Sequence, residues 1–210
     1  MMNGPDPIRI LIVDDHPLLR EGIISLVGKQ TDMQIVGEAS NGKEALQLFK
    51  QRIPDVTLMD LRMPEIDGIA VMTAILGEFP DAKFIVLTTF SGDAQVLRAL
   101  KAGARGYLLK DMLRKELLEA IRTVHAGRKR IPAEIAAQIA EHASDSVLTR
   151  REIEVLQLIA AGNPNKLVAD KLSVSEDTIK MHVKSILSKL GVNDRTRAVT
   201  IALKRGIIDL

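Results

Sequence analysis

Asp14 and Asp15 follow one short apolar run, Asp60 follows another, Thr88 closes a third and Lys110 follows a fourth. Carboxylates brought together from separate stretches of chain repel one another, so each resists ionising beside its neighbours. A bound Mg2+ would offset that cost, because it prefers oxygen ligands in octahedral geometry and bridges carboxylates to phosphate. In such a site Asp60 can act as a nucleophile toward a phosphoryl donor and form an acyl phosphate. Lys110 would add positive charge at the transferring oxygens, and the Thr88 hydroxyl could bond one of them. Any one of these residues has an ordinary alternative, Asp15 as a helix cap ahead of Pro17 or Lys110 as a surface charge. Their joint placement carries the reading. His16 is expected to be a loop or packing residue and not a ligand, since Mg2+ prefers oxygen.

The elements that must position these groups alternate along the chain. Short apolar runs at residues 8–13, 33–38, 56–59, 84–88 and 106–109 read as strands. Stretches of helical periodicity at 18–27, 42–51, 66–76, 94–101 and 115–124 separate them, and Gly28 is placed to stop the first. The alternation predicts an α/β fold, a doubly wound (βα)5 unit with a parallel five-stranded sheet covered on both faces. The mixed strand around Gln34 fits a sheet edge. Ligands of such folds bind beyond the carboxyl ends of the strands, where the polar residues above fall.

Residues 125–147 look like a connector, with a short helix from Pro132 to Ile139 and a solvated Arg128–Arg130 cluster. From Leu148 the pattern is helical throughout. Thr149 and Glu152 form a capping box ahead of an apolar run, and Gly162-Asn163-Pro164 ends that helix. Asn165 starts a second helix, Ser175 caps a third that closes at Leu190-Gly191, and a fourth runs from about Arg195 to Lys204. On the third, Ile179, Val183 or His182, Ile186, Leu187 and Leu190 form an apolar stripe, with Lys180, Lys184 and Lys189 away from it. Two lysines four apart share a face and gain if DNA lies opposite.

Composition sets the bounds. Residues 1–124 hold 15 basic and 17 acidic groups, net −2, whereas residues 144–210 hold 11 and 8, net +3. The second module is the one whose charge permits a nucleic-acid partner. With no cysteine, disulfides and thiol chemistry are excluded; aromatics at 2% argue against a base-stacking platform. No apolar window reaches about 18 residues and the N-terminus lacks a signal-peptide pattern, so no membrane association and a cytoplasmic location are expected.

The segments IVDDHPLLREG, LMDLRMPEIDG, VLTTFSGD and GARGYLLKD resemble the receiver domains of bacterial response regulators. The resemblance covers about residues 8–125. It implies Mg2+ held by Asp14, Asp15, Asp60 and the backbone carbonyl of Arg62, with Asp60 as phosphoacceptor. It implies Thr88, Lys110 and Tyr107 as the phosphoryl-binding and switch residues, although Tyr107 also reads as a plain half-buried strand residue. Pro64 and Gly68 match the turn after the acceptor. From Leu148 onward, LTRREIEVLQLIAAG and SVSEDTIKMHVKSILSKLGV resemble the helix-turn-helix domain of the NarL/FixJ (LuxR-type) regulators, with Leu167-Val168-Ala169 departing from an acidic-Ile-Ala pattern. That likeness puts Lys180, Met181 and Lys184 at base-facing positions and Asn165, Lys166 and Thr178 near phosphates. Val199, Ala202 and Leu203 fall on a dimerising helix.

The expected organisation is a receiver at 1–125, a linker at 126–146 and an all-α tetrahelical DNA-binding domain at 147–210. The expected function is a phosphorylation-dependent transcriptional regulator, served by a sensor histidine kinase and pairing on activation to read double-stranded DNA with two-fold-related half-sites. Beyond its own phosphorylation and dephosphorylation it is not expected to be an enzyme. Two other classes stay open: a Mg2+-dependent phosphatase or phosphotransferase, and a regulator working mainly through protein contacts with weak or phosphorylation-independent DNA binding.

Overall fold

The computed structural model describes residues 6–64, 67–89, 92–133, 136–137, 140 and 148–208. Five strands, β1 (Ile8–Val13), β2 (Met33–Ala39), β3 (Val56–Asp60), β4 (Phe84–Thr88) and β5 (Gly106–Leu109), alternate with five helices. These are α1 (Pro17–Val27), α2 (Gly42–Arg52), α3 (Gly68–Glu78), α4 (Asp93–Lys101) and α5 (Leu113–His125). The strands form one parallel sheet in the order β2-β1-β3-β4-β5. The expected α/β doubly wound unit is therefore present, with the mixed β2 at an edge.

Alternation along the strands divides the core. Ile10, Ile12, Leu58, Ile85 and Leu87 pack against Ile23 and Val27 of α1 and Leu117, Ile121 and Val124 of α5. Phe49 of α2 contacts both Phe79 and Phe84, at centroid separations of 5.3 and 6.1 Å. Few aromatics suffice because aliphatic strand residues are almost wholly removed from water.

The helix ends depart in detail from the sequence reading. Gly28 does close α1, its N–H donating to the Ile24 carbonyl at 2.7 Å, but with an ordinary right-handed φ of −62°. Ile53, not a glycine, takes the left-handed turn (φ 41°) that ends α2, and the Arg9 guanidinium bonds the Ile53 and Arg52 carbonyls there. The helix expected from residue 66 begins at Gly68, capped by Asp67 at the Ile69 N–H; Ile66 lies outside the described residues. Arg130, expected on a solvated face, instead extends the sheet. Its carbonyl accepts from Tyr107 N, its N–H donates to the Arg105 carbonyl, and its guanidinium meets Glu116 at 3.4 Å. Of the residues assigned to the linker by sequence, 126–133 and Ala136 group with the first of two compact units, whereas Ala137, together with Gly92–Gln95, groups with the second. Residues 134–135 and 138–139 of the helix expected from Pro132 to Ile139 lie outside the described residues.

The C-terminal unit holds α6 (Arg150–Ala160), α7 (Asn165–Leu172), α8 (Glu176–Lys189) and α9 (Arg195–Arg205). Val155, Leu156, Ile159, Val168, Ile179, Ile186, Ala198 and Ala202 share its core. Thr149 and Glu152 form the expected capping box. Glu152 does more than cap: it is buried, accepting from Thr149 N at 2.6 Å, Ser185 Oγ at 2.6 Å and Lys189 Nζ at 2.7 Å. Lys189 therefore belongs to the α6–α8 packing and not to the exposed face where its spacing put it. Burial pushes the Glu152 carboxyl up, but these three donors outweigh it and hold it at about 2, against an ordinary 4.5.

Two predictions concern these packings. A Cβ on Gly68 would stand 2.1 Å from the Asp60 carbonyl oxygen, so Gly68→Ala must displace the backbone behind the acidic residue. We expect a loss of about 2 kcal/mol or more in denaturant unfolding of the N-terminal unit. Because the Glu152 carboxyl is held low in the folded state, its stabilisation is complete above pH 4.5 and lost as pH falls toward 2. Glu152→Gln should cost the C-terminal unit about 3 kcal/mol at neutral pH and flatten that acid limb, read by thermal melts between pH 2 and 7.

Candidate acidic pocket and nucleic-acid interface

Strands β1, β3 and β5 deliver the pocket at their carboxyl ends, with β4 between the last two. β1 runs directly into Asp14, which is fully buried; β3 ends on Asp60, 2% exposed; β5 is followed by Lys110. The Lys110 ammonium lies 2.7 Å from Asp60 Oδ2 and 2.8 Å from Asp14 Oδ2. Its own backbone N–H is fixed on the Thr88 carbonyl at 2.7 Å, so the end of β4 positions the lysine. Asp60 Oδ1 accepts from Arg62 N at 3.1 Å, which turns the following loop back over the carboxylate. One donor atom from each of Asp14, Asp15, His16 and Asp60 lies within 4.8 Å of the others.

Burial pushes the Asp60 carboxyl up, and the neighbouring Asp14 adds to the rise; Lys110 and the Arg62 N–H act in the opposite direction without cancelling it. Burial pulls the Lys110 ammonium down, but its bonds to Asp14 and Asp60 prevail and raise it. The pocket thus keeps its lysine charged and leaves excess carboxylate. That donor set is hard oxygen, which suits a small divalent cation.

Thr88 and Tyr107 occupy neighbouring strands. Tyr107 is wholly buried, not half-buried at an edge, and its hydroxyl is hydrogen-bonded to Thr88. Burial pushes its phenol up to about 12, so it stays neutral. Arg20, which the sequence did not single out, and His16, expected to be a loop or packing residue, also shape the site. Arg20, one turn into α1, donates to the Asp14 carbonyl at 2.7 Å. The His16 ring faces both acids. Both follow from the turn at Pro17, whose direction spacing does not reveal. Asp15 does not cap α1; His16 occupies that position without a side-chain bond.

In the C-terminal unit, Ser175 caps α8 by accepting from Thr178 N at 3.1 Å, and the two hydroxyls meet at 2.8 Å. Ile179 and Ile186 turn inward, leaving Lys180, Met181 and Lys184 exposed together, with Met181 67% exposed. Lys180 is ion-paired within its own helix, 3.0 Å from Asp177 and 3.7 Å from Glu176. Lys166 is exposed, Asn165 and Thr178 half-buried. On α9 the dimerising set is divided. Val199 and Leu203 keep partial exposure, whereas Ala202 is fully buried in the domain's own core and is withdrawn from any such surface. A small residue there lets α9 approach its neighbours.

Residues 10–122 match the family of response regulator receiver domains, and residues 146–202 match the bacterial regulatory proteins of the luxR family. The chain is 42% identical over 214 residues to the uncharacterized transcriptional regulatory protein YxjL of Bacillus subtilis, covering 97% of this chain and 98% of that one. It is 38% identical to the response regulator protein VraR of Staphylococcus aureus, covering 96% and 99%. Among solved structures, the response regulator RcsB of Salmonella typhimurium superposes with a TM-score of 0.71 at 28% identity, over 92% of this chain and 98% of that one. A complex of RcsB with DNA gives 0.71 at 27%, over 95% and 99%. Matched along both halves, the chain belongs to the two-component response regulators that join a receiver domain to a luxR-family transcriptional output domain.

Proposed function

We propose that Asp60 accepts a phosphoryl group from a sensor histidine kinase and that its phosphorylation controls promoter binding by α8. The observation that carries this is Lys110, whose ammonium sits between the Asp14 and Asp60 carboxylates at the mouth of the sheet. An Asp60 oxygen forms the new O–P bond as the N–P bond of the donor phosphohistidine breaks. The leaving imidazole takes the electron pair and then a proton. Asp14, Asp15 and Asp60, with the Arg62 carbonyl, would hold Mg2+, which supplies charge neutralisation at the phosphoryl oxygens. Lys110 stays charged throughout and turns from Asp60 to a phosphoryl oxygen.

The new oxygens are strong acceptors that compete for the Thr88 hydroxyl. Once Thr88 turns, the buried Tyr107 phenol loses its partner, at a cost of about 1–3 kcal/mol unless the ring moves. A second arrangement around β4 and β5 is thereby favoured, and its surface biases pairing of two chains. In the output domain, Lys180, Met181 and Lys184 meet base edges, and Asn165, Lys166 and Thr178 meet phosphates. Val199 and Leu203 contribute to the paired form, which reads two-fold-related half-sites. The pocket serves this chain's own acceptor and turns over no external substrate. Its kinase and DNA partners place it in the cytoplasm, and among the described residues no helix is long and apolar enough to cross a membrane.

With acetyl phosphate and Mg2+, intact-mass measurement should show one added phosphoryl group on the wild type and none on Asp60→Ala. Equal labelling of both would sink the assignment. On selected promoter DNA, Lys184→Ala should cost about 1–3 kcal/mol of binding and reduce the slope of log affinity against log salt by up to about 1. Lys180→Ala should lose less, because its charge is already shared with Asp177 and Glu176. Anisotropy titrations at several salt concentrations measure both, and indifference to both substitutions would move the reading toward a regulator working through protein contacts.

A further inference from the structure

We propose that His16 is a nitrogen ligand of the acidic pocket, through which the pocket favours a first-row transition-metal dication over Mg2+. The proposal rests on reading Asp14, Asp15 and Asp60 as a cation site. His16 Nδ1 lies 3.1 Å from Asp14 Oδ1 and 2.8 Å from Asp15 Oδ1. A cation held at about 2.1 Å in octahedral directions sets neighbouring donor atoms about 3.0 Å apart. The two observed spacings bracket that value. With Asp60 included, the four donors lie within 4.8 Å of one another, compact enough for side-chain rotation alone to bring them around one ion.

The ring is directed to this position by the backbone. His16 is the N-cap residue of α1, yet its side chain makes no capping bond to the helix. Its N–H instead donates to Asp14 Oδ1 at 2.9 Å, which folds the residue back over the preceding acids, and Pro17 fixes the helix start behind it. Lys110 engages the other oxygen of Asp14, Oδ2, and so leaves Oδ1, the oxygen beside the imidazole, for a cation. The Arg20 guanidinium holds the Asp14 carbonyl and does not compete for the carboxylate. Without a cation the ring N–H bonds Asp14 Oδ1 at 3.1 Å, while Asp15 Oδ1, 2.8 Å from Nδ1, is buried without a hydrogen-bond partner. With one, the Nδ1 lone pair points the same way and the ring proton resides on Nε2.

An imidazole nitrogen changes which ion fits best. Mg2+ gains little from it, since it is a hard ion that favours oxygen and retains its waters. Co2+, Ni2+ and Zn2+ gain strongly, and their order of affinity at mixed nitrogen and oxygen sites follows from that. Asp15 and His16 are the more exposed members of the set, with side chains 29% and 66% exposed, so an incoming ion meets the discriminating ligand first.

Calorimetric titration of the full chain with CoCl2 and with MgCl2 tests this. His16→Ala should lose about tenfold or more in Co2+ affinity while Mg2+ affinity changes by less than about threefold. His16→Asn, which offers an oxygen near the position of Nδ1, should keep Mg2+ binding and fail to recover Co2+ binding. The visible absorption of bound Co2+ should move to longer wavelength in both variants as a nitrogen ligand is lost. Equal losses for the two ions would make His16 a structural residue, and unchanged Co2+ binding would remove it from the site; either overturns the proposal. So would Co2+ binding that survives Asp15→Asn undiminished, since the ion would then sit on imidazoles elsewhere. Mg2+ binding indifferent to Asp15→Asn would instead defeat the reading of the acids as a cation site, and this proposal with it.

Discussion

Lys110 lies between two carboxylates that are almost entirely withdrawn from water, and the N-terminal domain is organised around keeping it there. Asp14 and Asp60 could not both stay ionised at 0% and 2% exposure without a cation between them. The lysine comes from the strand farthest along the chain, 50 residues after Asp60, with β4 between their two strands. Its reach across that gap requires β4 to end where it does, with the Thr88 carbonyl holding the Lys110 N–H. The site is therefore complete only when β1, β3, β4 and β5 are in register. Its chemistry depends on the cooperative fold and not on any single loop.

The same strand end also meets a buried aromatic ring. The backbone of Thr88 fixes Lys110, while its side chain bonds the phenol of Tyr107 one strand over. Thr88 is thus at once a support of the pocket and a hydrogen-bond partner of a buried aromatic ring. Tyr107 N is in turn bonded to the Arg130 carbonyl, beyond α5.

In the output domain a buried carboxylate plays the organising part. Glu152 closes the start of α6 and also holds Ser185 and Lys189 of α8, which fixes the rotation of α8 about its axis. That rotation turns Ile179 and Ile186 inward and places Lys180, Met181 and Lys184 on the outer face. The outer face is less positive than its lysines suggest, since Asp177 and Glu176 share the charge of Lys180. Affinity for DNA that relies little on bulk charge leaves more of the discrimination to shape and base contacts.

The sequence determined the strand and helix alternation, the edge position of β2, the capping box at Thr149 and the convergence of Asp14, Asp15, Asp60 and Lys110. Each of these is written in local pattern: periodicity, a cap spaced three apart, or a polar residue at the end of an apolar run. Tertiary structure alone decided which partners those residues have. Lys189 and Lys184 differ little in sequence context, yet one is locked on Glu152 and the other is exposed. Ala202 and Leu203 are adjacent on one helix, and only packing sends the alanine wholly inside. Arg130 became part of the sheet because β5 had an edge to cover. His16 was turned onto the acids by a backbone bend that no residue spacing encodes. The acidic pocket with which the sequence reading began thus gained a neighbour it had set aside. Side-chain identity fixes what a residue can do; the direction of its Cα–Cβ bond, set by distant contacts, fixes to whom it does it.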